Sequence, residues 1–355
     1  MATAVHQLVH TLTWGDAISG EVLALQRCLQ AKGIESGIYA IHVDPRYRGQ
    51  AHSYREFPAG FAGSVVLHYS LGSPLNDLYR GLATARRILI HHNLTPAKWF
   101  KGINPRIASE IEHGVRELPE LCRLSDRLVA DSSFNAGELE AFGFKAAVLE
   151  LPIDREKWAV EANPGIVELL RSQPGPHVLH VGRIAPNKCI EDVIKAFAFF
   201  QRFHREDAKL WLAGGDIDTE LYSFSLRRLV RDIGVSESVI FTGRMADSEI
   251  RALYENCHAY LCMSEHEGFC LPLIEAMHFG LPVIAFDSSA LPDTLADGGI
   301  LVREKKPLAI AALLERLHTD TAMRDALVQA GRERAAQLSF EGFAARASEI
   351  FGSGA

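Results

Sequence analysis

Short apolar runs alternate with amphipathic segments along the whole chain. The apolar runs are rich in Val, Ile and Leu, whereas segments such as "IEDVIKAFAFFQRF" repeat apolar residues every three or four positions, as helices do. This alternation of strands and helices predicts parallel α/β architecture. The predicted strands cover residues 4–10, 35–43, 63–70, 86–92, 126–132 and 146–151 in the first half, and 177–181, 208–214, 238–243, 258–263, 282–286 and 299–302 in the second.

The chain has 355 residues, which is longer than one hydrophobic core usually supports, so we expect two domains. Each set of predicted strands forms one doubly wound sheet. The Pro, Asn and Gly residues of "LPIDREKW" and "EANPG" are typical of a linker. We therefore predict Rossmann-like domains over residues 1–160 and 161–338. The amphipathic helix predicted at 339–355 starts with a Ser cap, and either closes the second domain or packs back on the first.

Composition excludes several functional classes. The net charge of −7 argues against a nucleic-acid binder, which usually carries a basic domain. The six cysteines are scattered without CxxC pairs, so we expect a reduced, cytoplasmic protein without structural zinc. We expect no signal peptide, because "MATAVHQLVHTLTWGD" has no basic n-region followed by an apolar h-region. We expect no membrane-spanning helix, because no apolar stretch approaches 18 residues.

In open α/β sheets ligands bind at the carboxyl ends of the strands, so the chemistry is expected in strand-to-helix loops. The loop after the strand at 177–181 reads "GRIAPNK". Gly182 allows backbone to approach a ligand, and Arg183 and Lys188 place two cations beside a helix start, which suits a diphosphate. Two solvated surface cations are the alternative interpretation of this loop.

A second charged loop, "SEHEGFCLPLIEAM", follows the strand at 258–263. Glu267 and Glu275 are eight positions apart, and Pro272 lies where the first helical turn should begin. Glu275 can accept two hydrogen bonds from a diol such as a ribose, while Glu267 reaches another part of the same ligand. A capping acid and an unrelated surface acid are the alternative.

The order of these motifs carries a resemblance to a known family. "GRIAPNK", "TGR", "SEHEGF" and "GLPVIAFDSSALPD" follow one another with Glu275 at the matching offset, and together they resemble the nucleotide-sugar-binding half of the retaining glycosyltransferases of family 4. The resemblance implies the GT-B fold, in which two Rossmann-like domains face a central cleft. Two departures are Cys270, where many members have glycine, and Asp293, where a glutamate often follows the proline.

The resemblance also implies roles for individual residues. Arg183 and Lys188 would hold the donor diphosphate, Glu267 would contact hydroxyls of the transferred sugar, and Glu275 would hold the nucleotide ribose. Backbone around the second "GR" would flank the base. The donor contacts implied in addition come from Gly15, Gly182, Arg244, Met245, Gly268, Phe269 and Cys270.

The first half matches the family less tightly. In "TWGDAISGEV", Gly15 would bring its N–H to the donor phosphate, with Asp16 near the acceptor; a tight-turn glycine is the alternative. "ILIHHNLTPAKWF" resembles a His-Asn-x-Thr-Pro stretch of one bacterial subgroup, in which His92 would lie near the sugar. One of His91 and His92 fits equally well as a core histidine. The acceptor side would include His68 and Tyr69, which end another strand.

The function implied is transfer of a hexose from a nucleotide diphosphate sugar to a saccharide or lipid-linked acceptor, with retention at the anomeric carbon. Mannose, from GDP-mannose, is the first choice, in cell-surface polysaccharide or lipopolysaccharide synthesis. The catalytic set would be Glu267, His92, Arg183 and Lys188. No cofactor or metal is expected, and we interpret Asp216 and Asp218 as caps of the next helix.

Three further expectations remain open from sequence. The segment "AKWFKGINPR" combines Trp99 and Phe100 with basic residues, which would suit peripheral contact with the inner membrane leaflet, although aromatic residues packed under a loop explain it as well. A nucleotide-sugar 2-epimerase of the same fold is an alternative enzyme. A non-catalytic partner subunit is the alternative outside enzymes.

Overall fold

The protein is described here by a computed structural model of residues 4–352, which divides into two domains. The first domain comprises residues 4–98, 105–152 and 338–352, and the second comprises residues 99–104 and 153–337. The division after Pro152 lies a few residues before the predicted boundary at 160. The last helix belongs to the first domain, which is one of the two placements expected from sequence.

The first domain is built on a parallel sheet of seven strands in the order β3-β2-β1-β4-β5-β6-β7. Elements of both domains are numbered together in chain order. The strands are β1 (Val5–Leu12), β2 (Ile38–Val43), β3 (His52–Ser53), β4 (Ser64–Tyr69), β5 (Arg86–His91), β6 (Arg127–Ala130) and β7 (Ala147–Val148). The helices are α1 (Ala17–Ala31), α2 (Pro74–Gly81), α3 (Pro105–Leu124), α4 (Ser133–Ala141) and α13 (Phe340–Gly352).

Helix α13 closes one face of the first domain. Serine is among the residues preferred just before a helix, and here the Ser339 hydroxyl accepts a hydrogen bond from the Gly342 N–H at 3.1 Å, as the sequence predicts. The helix buries Phe343 and Ile350 in the cluster that also holds Leu25 of α1. Burial of these apolar side chains is the main force that holds the chain terminus on this domain.

The second domain contains a parallel sheet of six strands in the order β10-β9-β8-β11-β12-β13. Its strands are β8 (His177–Val181), β9 (Lys209–Ala213), β10 (Val239–Gly243), β11 (Ala259–Cys262), β12 (Val283–Phe286) and β13 (Ile300–Val302). Its helices are α5 (Pro164–Ser172), α6 (Ile190–Phe203), α7 (Glu220–Asp232), α8 (Asp247–Asn256), α9 (Leu271–His278), α10 (Leu291–Leu295), α11 (Pro307–Thr319) and α12 (Thr321–Gln337).

Both sheets reverse their strand order at one point. The chain moves outward from β1 to β3 and then returns to β4 on the other side of β1; β8 and β11 are related in the same way. Such switch points are where ligands bind in doubly wound sheets. The structure confirms the prediction of two Rossmann-like parallel sheets, and each of the twelve predicted strands overlaps an observed one. Within residues 4–352, none of the helices is both long and apolar enough to cross a bilayer.

Candidate functional site

The backbone comes together closely at the carboxyl edge of the second sheet. Gly182 follows β8 and Gly214 follows β9, and a Cβ on Gly214 would lie 1.8 Å from the Gly182 carbonyl oxygen. The Gly182 N–H donates to the Ala213 carbonyl at 2.9 Å, and the Gly214 N–H donates to the Gly243 carbonyl at 3.0 Å. Any side chain at position 214 would push these loops apart, so the edge depends on that glycine.

An ion pair bridges the β8/β11 switch point. Lys188 ends a short turn before α6, and its Nζ lies 2.5 Å from Glu267 Oε2 in the loop after β11. Both side chains are largely buried. Burial alone would lower the pKa of Lys188, but the charge of Glu267 and its hydrogen bond outweigh burial and hold that pKa above its ordinary value. The predicted cation and the first predicted carboxylate therefore meet in one place.

Neighbouring hydrogen bonds fix the two loops that carry this pair. Asn187 Nδ2 donates to the His266 carbonyl at 2.9 Å, and the Glu265 N–H donates to the Asn187 carbonyl at 2.9 Å. The Glu267 N–H donates to Ser289 Oγ at 2.8 Å. Because backbone and side chains are already held, a ligand at this edge meets a preorganised arrangement.

Arg183 lies in the loop after β8, as Lys188 does, and is exposed. Its guanidinium donates to the Ile217 carbonyl at 2.7 Å, which directs the side chain toward the loop after β9. Arg244 is also exposed and Met245 is half-buried, and both follow β10 directly. Arg183 therefore presents a charged group to solvent at the same edge, as a contact with an anion requires.

Glu275 is held by two residues that the sequence did not indicate as partners. Lys157 Nζ lies 2.9 Å from Glu275 Oε1, and the Tyr254 hydroxyl donates to Glu275 Oε2 at 3.0 Å. Lys157 also lies over the ring of Trp158, 4.2 Å from its centroid. Lys157 is 118 positions from Glu275, and no spacing rule pairs residues so distant in the chain. Each carboxylate oxygen keeps a second lone pair for a ligand.

The start of α9 has a left-handed residue. Cys270 is its N-cap with φ +77° and ψ +63°, and its side chain makes no capping hydrogen bond. Pro272 lies in the first turn, which confirms the prediction from sequence. Gly268 is half-buried, while Phe269 is buried with its carbonyl accepting from Thr294 Oγ1 at 2.6 Å. A glycine would adopt the Cys270 conformation without strain. Cysteine in place of the glycine that many family members have therefore places a side chain in a left-handed conformation.

In the first domain, the loop before α1 contains residues that form the turn into that helix and cap its start. Gly15 has φ +77° and is exposed, so a tight turn requires it. Asp16 Oδ2 accepts from the Ser19 N–H at 2.9 Å and from the Ser19 hydroxyl at 2.8 Å. Asp16 is thus the N-cap of α1, which is a local reason for an acid here beside the predicted contact with an acceptor.

His92 and His68 are enclosed rather than directed to an open edge. Both side chains have zero exposure. His68 Nδ1 lies 2.9 Å from His92 Nε2, His92 Nδ1 lies 3.4 Å from Asp131 Oδ2, and Glu21 Oε2 lies 3.3 Å from His92 Nε2. The predicted direct contacts of His92 with the sugar and of His68 with the acceptor are not available in this structure, because internal partners surround both rings.

Burial corrects the prediction for Tyr69 and agrees with the alternatives left open for His91 and Phe100. Tyr69 is 1% exposed and its hydroxyl donates to the Gly114 carbonyl at 2.7 Å, so it cannot contact an acceptor as predicted. His91 Nε2 lies 3.0 Å from Glu138 Oε2, so both members of the His pair are core histidines. Phe100 is buried and is therefore not available as the membrane-contacting ring that the sequence suggested beside Trp99.

The interpretation of Asp216 and Asp218 as helix caps is wrong. The N-cap of α7 is Thr219, which makes no side-chain capping bond. Its hydroxyl instead donates to the Ile184 carbonyl at 2.5 Å, because the loop after β9 packs against the loop after β8. Asp218 has φ +66°, and its carbonyl accepts from Asn104 Nδ2 at 3.1 Å.

Comparison with known proteins shows which family the second domain is similar to. Residues 167–334 match the family model described as "Glycosyl transferases group 1". A D-inositol 3-phosphate glycosyltransferase of Salinispora arenicola (strain CNS-205) is 28% identical over 249 residues, 64% of this chain and 55% of the relative. An O-antigen chain mannosyltransferase B of Escherichia coli is 28% identical over 168 residues, 46% of this chain and 42% of the relative. The chain thus spans about half the length of these curated relatives.

A solved structure is similar over both domains. Anabaena Alr3699/HepE, solved in complex with UDP and glucose, has a TM-score of 0.78 at 15% identity, covering 99% of this chain and 100% of that one. At this identity the similarity establishes the fold alone. The chain therefore has the two-domain GT-B fold, and its second domain is similar to the glycosyl transferases group 1.

Proposed function

We propose that the protein is a retaining hexosyltransferase that moves a hexose, with mannose the first choice, from a nucleotide diphosphate sugar to a saccharide or lipid-linked acceptor. The observation that carries the proposal is the Lys188–Glu267 pair across the β8/β11 switch point, with the exposed Arg183 in the same loop as Lys188. These groups lie within the region that matches glycosyl transferases group 1. A switch point that offers cations and a buried carboxylate suits a ligand with a diphosphate at one end and hydroxyls at the other.

The diphosphate is assigned to Arg183 and Lys188. A lysine ammonium has three donors and Glu267 takes one of them, so two remain for phosphate oxygens. Arg183 gives up one N–H to the Ile217 carbonyl and retains the rest of its planar group. The negative charge on the leaving diphosphate grows as its bond to the anomeric carbon breaks, so both cations favour the transition state more than the bound donor.

Glu275 is assigned to the nucleotide ribose. Its two oxygens are each held by one donor, and a diol can use the remaining lone pairs or displace Lys157. The nucleobase is assigned to backbone near Arg244 and Met245, which follow β10 at the same sheet edge. Gly268 and Phe269 are assigned to the donor through their N–H groups at the start of α9.

The chemistry proposed is the front-face departure that the resemblance to family 4 implies. The bond between the anomeric carbon and the diphosphate oxygen breaks, and the acceptor oxygen forms its bond on the same face of the sugar. The acceptor proton passes to the leaving diphosphate, so the reaction needs no protein nucleophile and no metal. Glu267 orients the sugar through its hydroxyls. The expected contact of His92 with the sugar is not part of this proposal, because internal partners enclose its ring.

The choice of sugar and pathway rests on relatives. One Escherichia coli relative is named an O-antigen chain mannosyltransferase, which supports mannose and a role in lipopolysaccharide or another cell-surface polysaccharide. The Salinispora relative is named for a different acceptor, inositol 3-phosphate, so the relatives do not agree on the acceptor. We place the activity in the cytoplasm, which the six free cysteines favour.

A donor screen tests the proposal. Thermal shift and transfer or hydrolysis are measured with UDP-, GDP- and dTDP-sugars, and the anomeric configuration of any product is read by NMR. We expect GDP-mannose to raise Tm, and Arg183→Ala and Glu275→Ala to abolish that shift. Arg202→Ala is a matched control, because Arg202 is also exposed and also donates to a backbone carbonyl, that of Ile233.

The same screen separates the alternatives. An epimerase would release nucleotide or change the sugar without an acceptor, at a rate near its full turnover. A non-catalytic subunit would bind a donor and never turn it over. If no nucleotide sugar stabilises the protein and the two variants behave as the wild type, the donor site itself is wrongly assigned.

A further inference from the structure

The enclosed cluster of the first domain has unexplained chemistry. We propose that Glu21, His68 and His92, here called the first-domain triad, bind a divalent transition-metal ion, zinc in the first place, through two imidazole nitrogens and the Glu21 carboxylate. His68 Nδ1, His92 Nε2 and Glu21 Oε2 converge on one point near the β1/β4 switch point. This proposal is independent of the sugar-transfer chemistry, which uses groups of the second domain.

The outward nitrogens of both histidines are fixed as donors. Gln7 Nε2 donates to the Val22 carbonyl at 3.1 Å, so Gln7 Oε1 faces His68 Nε2 at 2.9 Å and accepts a hydrogen bond from a protonated Nε2. His92 Nδ1 faces the Asp131 carboxylate, which is also an acceptor. With protons on both outward nitrogens, the two inward nitrogens of neutral rings would carry only lone pairs. They lie 2.9 Å apart, so they must either share a proton or both bind a metal ion that lies to one side of the line joining them.

The Glu21 carboxylate also calls for a proton or a metal ion. Its side chain has zero exposure, and neither oxygen accepts a hydrogen bond from any residue that the structure describes. A carboxylate without hydrogen bonds in a dry interior is costly, so the buried Glu21 carboxylate needs a proton or a cation beside it. Glu21 Oε2 is therefore available as a ligand, and with the two inward nitrogens it supplies three donor atoms.

The spacing of these atoms fits a small tetrahedral ion. Zinc binds imidazole nitrogen at about 2.0–2.1 Å, which places neighbouring ligand atoms of a tetrahedral site about 3.3 Å apart. The three separations in the triad are 2.9, 3.3 and 3.8 Å, and they bracket that value. Gln7 and Asp131 supply the outer hydrogen bonds that zinc-binding histidines normally make through their second nitrogen.

Two other groups of potential ligands lie in the second domain, and each already holds a lysine. Lys305 Nζ lies 2.8 Å from Glu265 in the group of Cys189, Asp192 and Glu265. Lys188 Nζ occupies Glu267 in the group of Cys262, Glu267 and Cys270. In the part of the chain described, the ion pairs of Glu21 are with His68 and His92 alone. The triad is thus the group in which a metal would replace a proton rather than compete with a lysine.

The test is the metal content of the full chain. Protein from zinc-supplemented cells, or refolded with zinc, is desalted and its metal content is measured by elemental mass spectrometry, while Tm is recorded with zinc and with a chelator. We expect about one zinc per chain, and a Tm at least about 5 °C higher with zinc than with chelator. Glu21→Gln should reduce the zinc content to background, and Asp131→Asn should weaken zinc affinity about 10- to 100-fold.

Controls separate loss of the site from loss of the fold. Glu21→Gln is nearly isosteric and removes a buried acid, so its Tm in chelator should equal or exceed that of the wild type. The double variant Cys262→Ser/Cys270→Ser should keep its zinc. Cobalt in the wild type should give visible absorption without the thiolate charge-transfer band of a cysteine site. The proposal is overturned if zinc neither binds nor raises Tm, or if zinc survives in Glu21→Gln and disappears from the double cysteine variant.

Discussion

The two switch points of this molecule have the same topology, but the side chains at them differ in exposure. At the β1/β4 point, Glu21, His68 and His92 fill the space with groups that have zero exposure. At the β8/β11 point, the Lys188–Glu267 pair is largely buried, while Arg183 in the loop after β8 is exposed. The architecture therefore provides a place for a ligand in each domain, and the side chains determine whether the domain fills that place itself.

Loop length accounts for part of the difference. Only residues 13–16 separate β1 from α1, and Asp16 caps the helix at once, so Glu21 in the second turn lies over the sheet. Residues 182–189 separate β8 from α6 and include a turn that ends at Lys188. The longer loop leaves Arg183 exposed at the edge, whereas the short one is followed closely by the buried Glu21.

The largest expected effect is at the enclosed point. His92→Ala, studied in chelator, should lower the free energy of unfolding by about 3–5 kcal/mol, because it leaves Glu21 and Asp131 as buried acids without their histidine. Denaturant titration measures this, and His42→Ala, an exposed histidine, should change stability by less than about 0.5 kcal/mol. A stable His92→Ala protein with lost activity would instead indicate direct substrate contact. It would contradict the difference drawn between the enclosed and the open switch point.

The next effect is at the open point. Lys188→Met should lower kcat about 10²- to 10³-fold, because it removes a cation from the leaving group and leaves Glu267 buried without its partner. Steady-state kinetics with the donor found by the screen measure this. Lys195→Met, an exposed lysine of α6 that pairs with Asp192, is the control and should retain wild-type kcat. An unchanged kcat in Lys188→Met would show that the pair is structural.

A pH titration tests a buried histidine at the second switch point. His180 on β8 donates from Nδ1 to the Leu261 carbonyl at 3.0 Å, and its Nε2 has no hydrogen-bond partner among the described residues. Burial lowers the pKa of His180 to about 4, below the unfolded value of 6.5. Its contribution to stability is present above pH 6.5 and is lost as pH falls toward 4, because the unfolded state then binds more protons.

His180→Asn keeps a donor for the Leu261 carbonyl and removes the titration. Between pH 6.5 and 4 the variant should therefore lose about 3 kcal/mol less unfolding free energy than the wild type, from about 1.36 kcal/mol per pKa unit. Chemical denaturation at several pH values measures the difference. Parallel pH curves for the two proteins would mean that His180 titrates normally.

The smallest effect concerns the start of α9. Cys270→Gly and Cys270→Ala both remove the thiol, but only glycine adopts φ +77° without strain. The glycine variant should be more stable than the alanine variant by about 1 kcal/mol. Thermal unfolding of the two variants measures this difference. Equal stabilities would mean that the helix start relaxes, and that the open switch point is less rigid than its hydrogen bonds indicate.

Sequence predicted most of the fold because strand and helix periodicities are local. The strand β3 was not predicted, because two residues are too few to show a periodicity. Sequence also indicated that Lys188 and Glu267 lie in neighbouring loops, because both follow strands of the same predicted sheet, and the two side chains do meet. It could not predict that Glu21 encloses His92 or that Lys157 holds Glu275, because those partners lie far apart in the chain and share no motif.

The contact between Lys157 and Glu275 has a consequence for protease sensitivity. Trypsin needs a lysine side chain free to enter its specificity pocket, and Lys157 lies in the segment that follows Pro152. A ribose that takes Glu275 Oε1 releases this lysine, so nucleotide should accelerate cleavage after residue 157 even while it raises Tm. The rate of that single cut, followed by mass spectrometry, would then report occupancy of the nucleotide without any labelled sugar.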